Sequence, residues 1–159
     1  MTEIKRCIQF ELACEQDSEQ WAKHFAFCLA APLTITLSGE IGTGKTTIVR
    51  AMLRSWGVTS TIKSPTFSLL ESYIIPGLIV HHADLYRIHD PEELDAIGFR
   101  DYFTEDAVCC IEWPERAPYA VEPIDLALDL KMHGDGRMLH MDALTAKGVF
   151  VLSRMGDDA

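Results

Sequence analysis

The segment that decides the fold lies between an apolar stretch and an amphipathic one, and reads Gly39-Glu40-Ile41-Gly42-Thr43-Gly44-Lys45-Thr46-Thr47. The pattern G-x-x-x-x-G-K-T is typical of a phosphate-binding loop (P-loop), because glycines let successive backbone N–H groups face phosphate oxygens. Lys45 can reach the β- and γ-phosphates, and the hydroxyl of Thr46 can ligate Mg²⁺. We therefore expect the residues from Glu40 to Thr47 to contact a nucleoside triphosphate bound with magnesium.

The residues on either side of this loop have the pattern that such a loop requires. Residues 33–37 alternate leucine or isoleucine with threonine and predict a short strand. After the loop, apolar side chains recur at helical spacing over residues 48–56, and Gly57 supplies a C-terminal stop. The order strand, loop, helix indicates an α/β fold built around the loop.

The remaining segments complete a single predicted domain over residues 1–159. Strands are expected at 4–12, 69–75, 78–83 and 108–111, and a terminal β-hairpin at 124–132 and 138–144. A helix capped by Asp17 or Ser18 is expected to run to about Ala30, and a short one to begin at Asp90-Pro91-Glu92-Glu93. We predict a single-domain α/β P-loop NTPase with a central, mixed, partly parallel β-sheet flanked by helices and a C-terminal β-hairpin. The loop strand is expected near the centre.

Two acidic residues stand where a triphosphate site needs a carboxylate, at the ends of apolar strands. Asp84 follows residues 78–83, and Glu112 follows residues 108–111. One can hold Mg²⁺ while the other orients the attacking water, and spacing alone does not assign the two roles. A tryptophan beside such an acid more often serves packing, but the position of Trp113 next to Glu112 makes it a candidate nucleotide contact. Thr66, in the run Ser64-Pro65-Thr66-Phe67, has a hydroxyl of the kind that senses a γ-phosphate.

The charge of the chain and the absence of guanine-specificity motifs indicate which partners and which nucleotide to expect. The 24 acidic residues outnumber 14 basic ones, giving a formal net charge of −10, and the basic residues form no run. A direct nucleic-acid binder presents clustered cations, so we expect any nucleic acid to be held by a partner. The guanine-specificity motifs N-K-x-D and T-K-x-D are absent, which favours ATP over GTP.

Cysteine usage and hydropathy indicate the compartment. Five cysteines without framework spacing predict neither a disulfide scaffold nor a metal knuckle. The first twelve residues contain no apolar leader, and the most apolar early stretch is interrupted by Pro32. We expect a cytoplasmic protein with no membrane association.

Five motifs together resemble a known family. They are GEIGTGKTT at 39–47, SPTF at 64–67, HADLYRI at 82–88, ELDAIGFRDYF at 93–103 and IEWPE at 111–115. Their order and spacing closely resemble the TsaE family of bacterial P-loop ATPases in tRNA threonylcarbamoyladenosine biosynthesis. The resemblance covers nearly the whole chain, including the terminal hairpin with Gly136-Arg137.

The resemblance implies an ATPase that works with TsaB and TsaD in forming N6-threonylcarbamoyladenosine at position 37 of tRNAs reading codons that begin with A. It implies that Thr46 and Glu112 are the magnesium ligands, that Lys45 and Asp84 act in hydrolysis, and that Thr66 is a switch residue. Arg137 and the region around Asp17 are implied to border the nucleotide. The cofactors implied are ATP and Mg²⁺.

Two other functions fit the loop itself. A P-loop small-molecule kinase would also bind ATP, but it would need a lid and an acceptor pocket, which the sequence does not indicate. A nucleotide-dependent binding module that does not hydrolyse ATP would use Asp84 and Glu112 only for structure. Turnover of ATP with and without the partner proteins separates these alternatives from a partner-activated ATPase.

Overall fold

A single mixed sheet organises the computed structural model, which describes residues 6–62, 65 and 68–156. Within those residues the sheet has seven strands: β1 (Arg6–Leu12), β2 (Leu33–Ser38), β3 (Leu70–Ile75), β4 (Leu78–Asp84), β5 (Ala107–Glu112), β6 (Leu126–His133) and β7 (Gly136–Ala143). Their order across the sheet is β1-β7-β6-β2-β5-β4-β3. The predicted α/β class and the predicted mixed sheet are confirmed.

The parallel strands occupy the middle of the sheet. β2 pairs in parallel with both β5 and β6, and β5 pairs in parallel with β4. β5 is buried along its whole length, as expected for a strand covered on both faces. The outer pairs β1–β7, β6–β7 and β3–β4 are antiparallel. The loop strand β2 is therefore central, as predicted, and the terminal hairpin is β6–β7.

Helices cover both faces of the sheet: α1 (Glu15–Phe27), α2 (Lys45–Ser55), α3 (Glu92–Ala96) and α4 (Ala146–Gly156). Side chains from α1, α2 and α4 pack into the larger core cluster, where Phe25, Met52 and Leu152 are buried. Side chains from α3 and the following 3₁₀ turn (Phe99–Tyr102) enter a smaller cluster with Ile111. The apolar stripe predicted over residues 48–56 is the buried face of α2, with Ile48, Val49, Met52 and Leu53 in the core.

Two details of the helices differ from the predictions. The first helix begins at Glu15 after Cys14, so capping by Asp17 or Ser18 is wrong. Asp17 lies inside the first turn, and its carboxylate accepts a hydrogen bond from the backbone N–H of Ala13 at 3.1 Å. Helix α4 has no counterpart among the predicted elements. It packs against β7 and β1 and closes the larger core cluster.

The topology brings the loop and two strand ends to one edge. Since β2, β5 and β4 run in parallel, their carboxyl ends lie side by side, and ligands of α/β sheets bind at such an edge. The loop continues from β2, while Glu112 ends β5 and Asp84 ends β4. None of the described helices has the length and apolar character needed to cross a bilayer.

Candidate nucleotide-binding site

The glycine-rich loop joins β2 to α2 through backbone conformations that favour glycine. Gly39, Gly42 and Gly44 have φ values of 144°, 85° and 99°. A Cβ atom on Gly39 would lie 2.5 Å from the carbonyl oxygen of Leu130 on the neighbouring strand, so no larger residue fits there. Gly44 precedes α2 and makes no side-chain cap hydrogen bond. The first N–H groups of the helix are thus left for an anion, which the helix dipole also favours.

Lys45 is folded back into the loop. The residue is only 5% exposed, and its Nζ donates to the carbonyl oxygens of Gly39 at 2.6 Å and Glu40 at 2.9 Å. The ring of Trp113 lies over the ammonium, 4.5 Å from Nζ to the ring centroid. Burial lowers the pKa of Lys45, and the carboxylates of Glu112 and Asp84 oppose that shift. A buried cation therefore faces the two strand-end acids.

The two predicted acids are direct neighbours across the sheet, because Asp84 pairs with Glu112 in the β4–β5 register. Glu112 is 2% exposed, and the hydroxyl of Thr46 donates to its carboxylate, 3.1 Å from each oxygen. Asp84 is half-buried, and its Oδ1 accepts a hydrogen bond from the backbone N–H of Tyr86 at 3.0 Å. Glu112 thus touches the predicted magnesium residue of the loop, and Asp84 stands beside it.

A cavity of about 390 Å³ opens between the loop and these acids. Its lining consists of Ile41, Gly42, Gly44, Lys45, Thr46, Thr47, Asp84, Tyr86, Glu112 and Trp113. All of these except Tyr86 are sequence-predicted site residues. Glu40, Thr43 and Arg137 do not line it, and Thr66 lies outside the described residues. The arrangement combines backbone N–H groups, one cation, two carboxylates and the hydroxyl of Thr46 around a single space.

Arg137 and Thr43 support the loop from its other side. The guanidinium of Arg137, on the terminal hairpin, donates to the carbonyl oxygens of Thr43 and Gly42, each at 3.0 Å. The hydroxyl of Thr43 donates to the carbonyl oxygen of Glu40 at 2.8 Å. A second cavity, of about 330 Å³, lies on this side between the loop, the start of α1 and the hairpin turn. Arg137 borders this second cavity, as does Ser18 but not Asp17.

Sequence reasoning missed two residues of the site. His82 Nε2 lies 2.5 Å from Oε2 of Glu112. His82 also shares a strand face with Asp84, because residues two apart on a strand point to the same side. The spacing of two residues between His82 and Asp84 was therefore a usable signal in the sequence. Tyr86, the second residue, lines the main cavity and packs against Trp113 with ring centroids 4.9 Å apart.

The donor set fits magnesium bound together with a phosphate ligand. The described residues contain no group of three or more His, Cys, Asp or Glu side chains that could hold a metal by themselves. Magnesium in nucleotide sites is held by one or two carboxylates, a hydroxyl, waters and the phosphates themselves. Thr46 and Glu112, in contact beside the loop, match that requirement.

Comparisons with known proteins identify relatives of the chain. Residues 12–142 match the family model described as threonylcarbamoyl adenosine biosynthesis protein TsaE. A Haemophilus influenzae protein named tRNA threonylcarbamoyladenosine biosynthesis protein TsaE is 40% identical over 121 residues, 76% of this chain and 77% of the relative. A Rickettsia bellii protein of the same name is 32% identical over 129 residues, 80% and 89% of the two chains.

A solved structure shares the fold. The crystal structure of Bacillus subtilis YdiB superposes with a TM-score of 0.83, at 21% sequence identity, over 99% of this chain and 100% of that one. The predicted fold is thereby matched in an independently solved molecule.

Proposed function

The chain belongs to the TsaE family of threonylcarbamoyl adenosine biosynthesis proteins, and on that premise we propose that it is an ATP-binding and ATP-hydrolysing subunit of tRNA modification. The modification is N6-threonylcarbamoyladenosine at position 37 of tRNAs that read codons beginning with A. The proposed partners are TsaB- and TsaD-like proteins.

One observation carries the proposed ATPase activity: the loop and both strand-end acids meet around one cavity. Lys45 supplies a cation for the β- and γ-phosphates, and the first turn of α2 supplies N–H groups. Thr46 and Glu112 would hold Mg²⁺, which when bound neutralises charge on the phosphate oxygens. Asp84 would orient the water whose oxygen attacks the γ-phosphorus, with release of ADP and phosphate. Trp113 would pack beside the nucleotide.

The charge of the chain supports a role on partner proteins. A formal net charge of −10 disfavours direct binding to the phosphates of tRNA. An acidic chain is suited to meet a more basic protein surface, which then brings the RNA. The absence of guanine-specificity motifs from the full sequence supports ATP as the nucleotide.

The decisive experiment measures ATP turnover by the purified chain, alone, with a TsaB–TsaD pair, and with the pair plus substrate tRNA. We expect turnover to rise with the pair and modified tRNA to require the chain. Turnover that ignores the pair, or a phosphorylated metabolite among the products, would contradict the proposal and favour the kinase alternative.

A Lys45→Ala variant serves as the loss-of-binding control for that assay. Removing a charged group that makes hydrogen bonds to a ligand costs about 1.5–3 kcal/mol per bond. We therefore expect an affinity for ATP at least about 100-fold lower in calorimetry, since two such bonds to phosphate disappear. Unchanged affinity would refute the role assigned to Lys45.

A further inference from the structure

The buried imidazole of His82 contacts Glu112, one of the two proposed magnesium ligands. Resting on the proposed function, we propose that His82 is a positioning residue that holds the carboxylate of Glu112 facing Thr46, so that a divalent cation finds its ligands already aligned. His82 itself lines neither cavity. It lies on β4, where its register partner is Cys110, two residues before Glu112 on β5. Its effect on the metal is therefore exerted through Glu112.

The hydrogen-bond pattern fixes how the two side chains interact. His82 is completely buried, and its Nε2 lies 2.5 Å from Oε2 of Glu112. An ionised carboxylate only accepts, so when Glu112 serves as a magnesium ligand this hydrogen bond needs the imidazole tautomer with the proton on Nε2. The same carboxylate accepts the hydroxyl of Thr46 from the cavity side. Glu112 is thus in contact with two side chains. Thr46 lines the main cavity and His82 does not.

The other ring nitrogen argues against a role confined to packing. His82 Nδ1 is buried and has no hydrogen-bond partner among the described residues. An unpaired buried polar atom is destabilising, and an apolar side chain of similar size would avoid it. What the imidazole adds at this position is its Nε2–H donor to Glu112. Carboxylates that ligate metals are commonly held by such a partner, and losing it typically reduces metal affinity or activity about 10- to 100-fold.

The neighbouring His81 shows what a packing histidine looks like on the same strand. It points to the opposite face of β4, where Nδ1 lies 2.7 Å from the hydroxyl of Ser72. Its ring packs edge-on against Tyr102, with centroids 5.0 Å apart. Both histidines are buried, but His82 is the one that contacts a proposed metal ligand. His81 is therefore a matched control for effects on the strand itself.

The test uses amide side chains as probes of the donor position. In His82→Gln the amide nitrogen reaches roughly where Nε2 lies and can still donate to Glu112, whereas in His82→Asn the shorter side chain ends near the position of Nδ1. Calorimetry would measure the affinity for a non-hydrolysable ATP analogue with magnesium and with EDTA. The ratio of the two affinities is the magnesium enhancement.

We expect His82→Asn to lower the magnesium enhancement about 10- to 100-fold, with the affinity in EDTA unchanged. His82→Gln should stay within about threefold of the wild type, and His81→Gln should not change the ratio. His82→Met, which fills a similar volume without a donor, should show the same loss as His82→Asn. It replaces that variant if His82→Asn does not fold.

The outcomes separate this inference from the proposed function. Equal magnesium enhancement in the wild type and in a folded His82→Asn or His82→Met would overturn the positioning role alone. A loss in His82→Gln as large as in His82→Asn would also overturn it, because the donor would then not be what matters. A wild type with no magnesium enhancement would overturn the proposed function and this inference together.

Discussion

Two buried carboxylates mark the opposite ends of the parallel strands, and they differ in what surrounds them. Glu112, at the carboxyl end of β5, is 2% exposed and binds the side chains of Thr46 and His82 beside the main cavity. Asp125, at the amino end of β6, is 3% exposed. Its Oδ2 accepts from the backbone N–H of Thr34 at 2.8 Å, and its Oδ1 accepts from the hydroxyl of Thr145 at 2.6 Å.

Glu112 and Asp125 are equally buried but have different surroundings, so burial of an acid does not by itself indicate function. Asp125 ties the start of β2 to the residue that precedes α4, and Lys147 Nζ lies 3.7 Å from its carboxylate. All these contacts lie within the folded chain and away from the cavity, so Asp125 stabilises the fold. Glu112 makes one contact that a ligand can replace, the hydroxyl of Thr46.

Asp84→Asn should reduce ATP hydrolysis without reducing nucleotide binding. The amide keeps the shape of the side chain but cannot assist in deprotonating or orienting water as a carboxylate does. Positioned acid–base groups contribute about 100- to 10,000-fold, so partner-stimulated ATP turnover should fall by about that factor. Nucleotide affinity measured by calorimetry should stay within a fewfold of the wild type. If turnover survives, the role of Asp84 passes to another residue.

Asp125→Ala should reduce the stability of the fold without changing the affinity for the nucleotide. It leaves the buried N–H of Thr34 and the hydroxyl of Thr145 without their acceptor, and each such loss costs about 1–3 kcal/mol. We expect the free energy of unfolding in a urea titration to fall by about 3 kcal/mol, roughly 150-fold in the folding equilibrium.

The control for that experiment is Asp125→Asn, whose amide oxygen still accepts one hydrogen bond and should lose less. Nucleotide affinity of both folded variants should match the wild type. A weakened affinity with normal stability would show that Asp125 is coupled to the nucleotide site and is not purely structural.

Glu112→Gln should do the reverse of Asp125→Ala: it should impair magnesium binding and leave the stability of the fold almost unchanged. The amide fills the same space, so the free energy of unfolding should change by about 1 kcal/mol or less. Loss of the negative charge should lower the magnesium enhancement of nucleotide binding about 10- to 100-fold. Titrating magnesium into the variant with a bound ATP analogue measures the effect. Intact magnesium dependence would transfer the metal role to Asp84.

Thr145→Val should destabilise the fold less than Asp125→Ala does. Thr145 donates to Asp125 and accepts a hydrogen bond from the N–H of Gly148 at 3.2 Å, so it caps the first turn of α4. Losing a helix cap costs about 1 kcal/mol, and losing the donor to Asp125 costs about 1 kcal/mol more, so the free energy of unfolding should fall by about 2 kcal/mol. Thermal or urea unfolding should show that loss, while Thr145→Ser, which keeps the hydroxyl, should remain close to the wild type. A null effect would mean that water replaces the cap.

Some parts of the fold were predictable because their signals are local. The glycine loop, the apolar stripe of α2 and the turn of the terminal hairpin depend on residues close together in sequence. Helix α4 was missed because Gly148 interrupts its helical signal. In the fold that glycine is required, since a Cβ there would collide with the carbonyl oxygen of Asp125. The helix is stabilised by packing of its apolar face, with Val151, Leu152 and Met155 buried.

The candidate site was only partly predictable for a similar reason. Most lining residues followed from motifs, but the partner of Glu112 did not, since His82 and Glu112 meet only through strand pairing. Arg137 was assigned to the nucleotide by resemblance, and its guanidinium instead donates to loop carbonyls beside a second cavity. Whether it also reaches a bound nucleotide stays a prediction.

The phosphate-binding loop could be identified from the sequence alone, because glycine conformations and the order strand, loop, helix are local properties of the chain. It also placed an acid at the end of each of two apolar strands. Only the tertiary structure decided which acid faces Thr46. Parallel pairing of β2, β5 and β4 brings Thr46 against Glu112, 66 residues further along the chain, and sets Asp84 beside them. Such long-range contacts depend on sheet register, which no local pattern specifies.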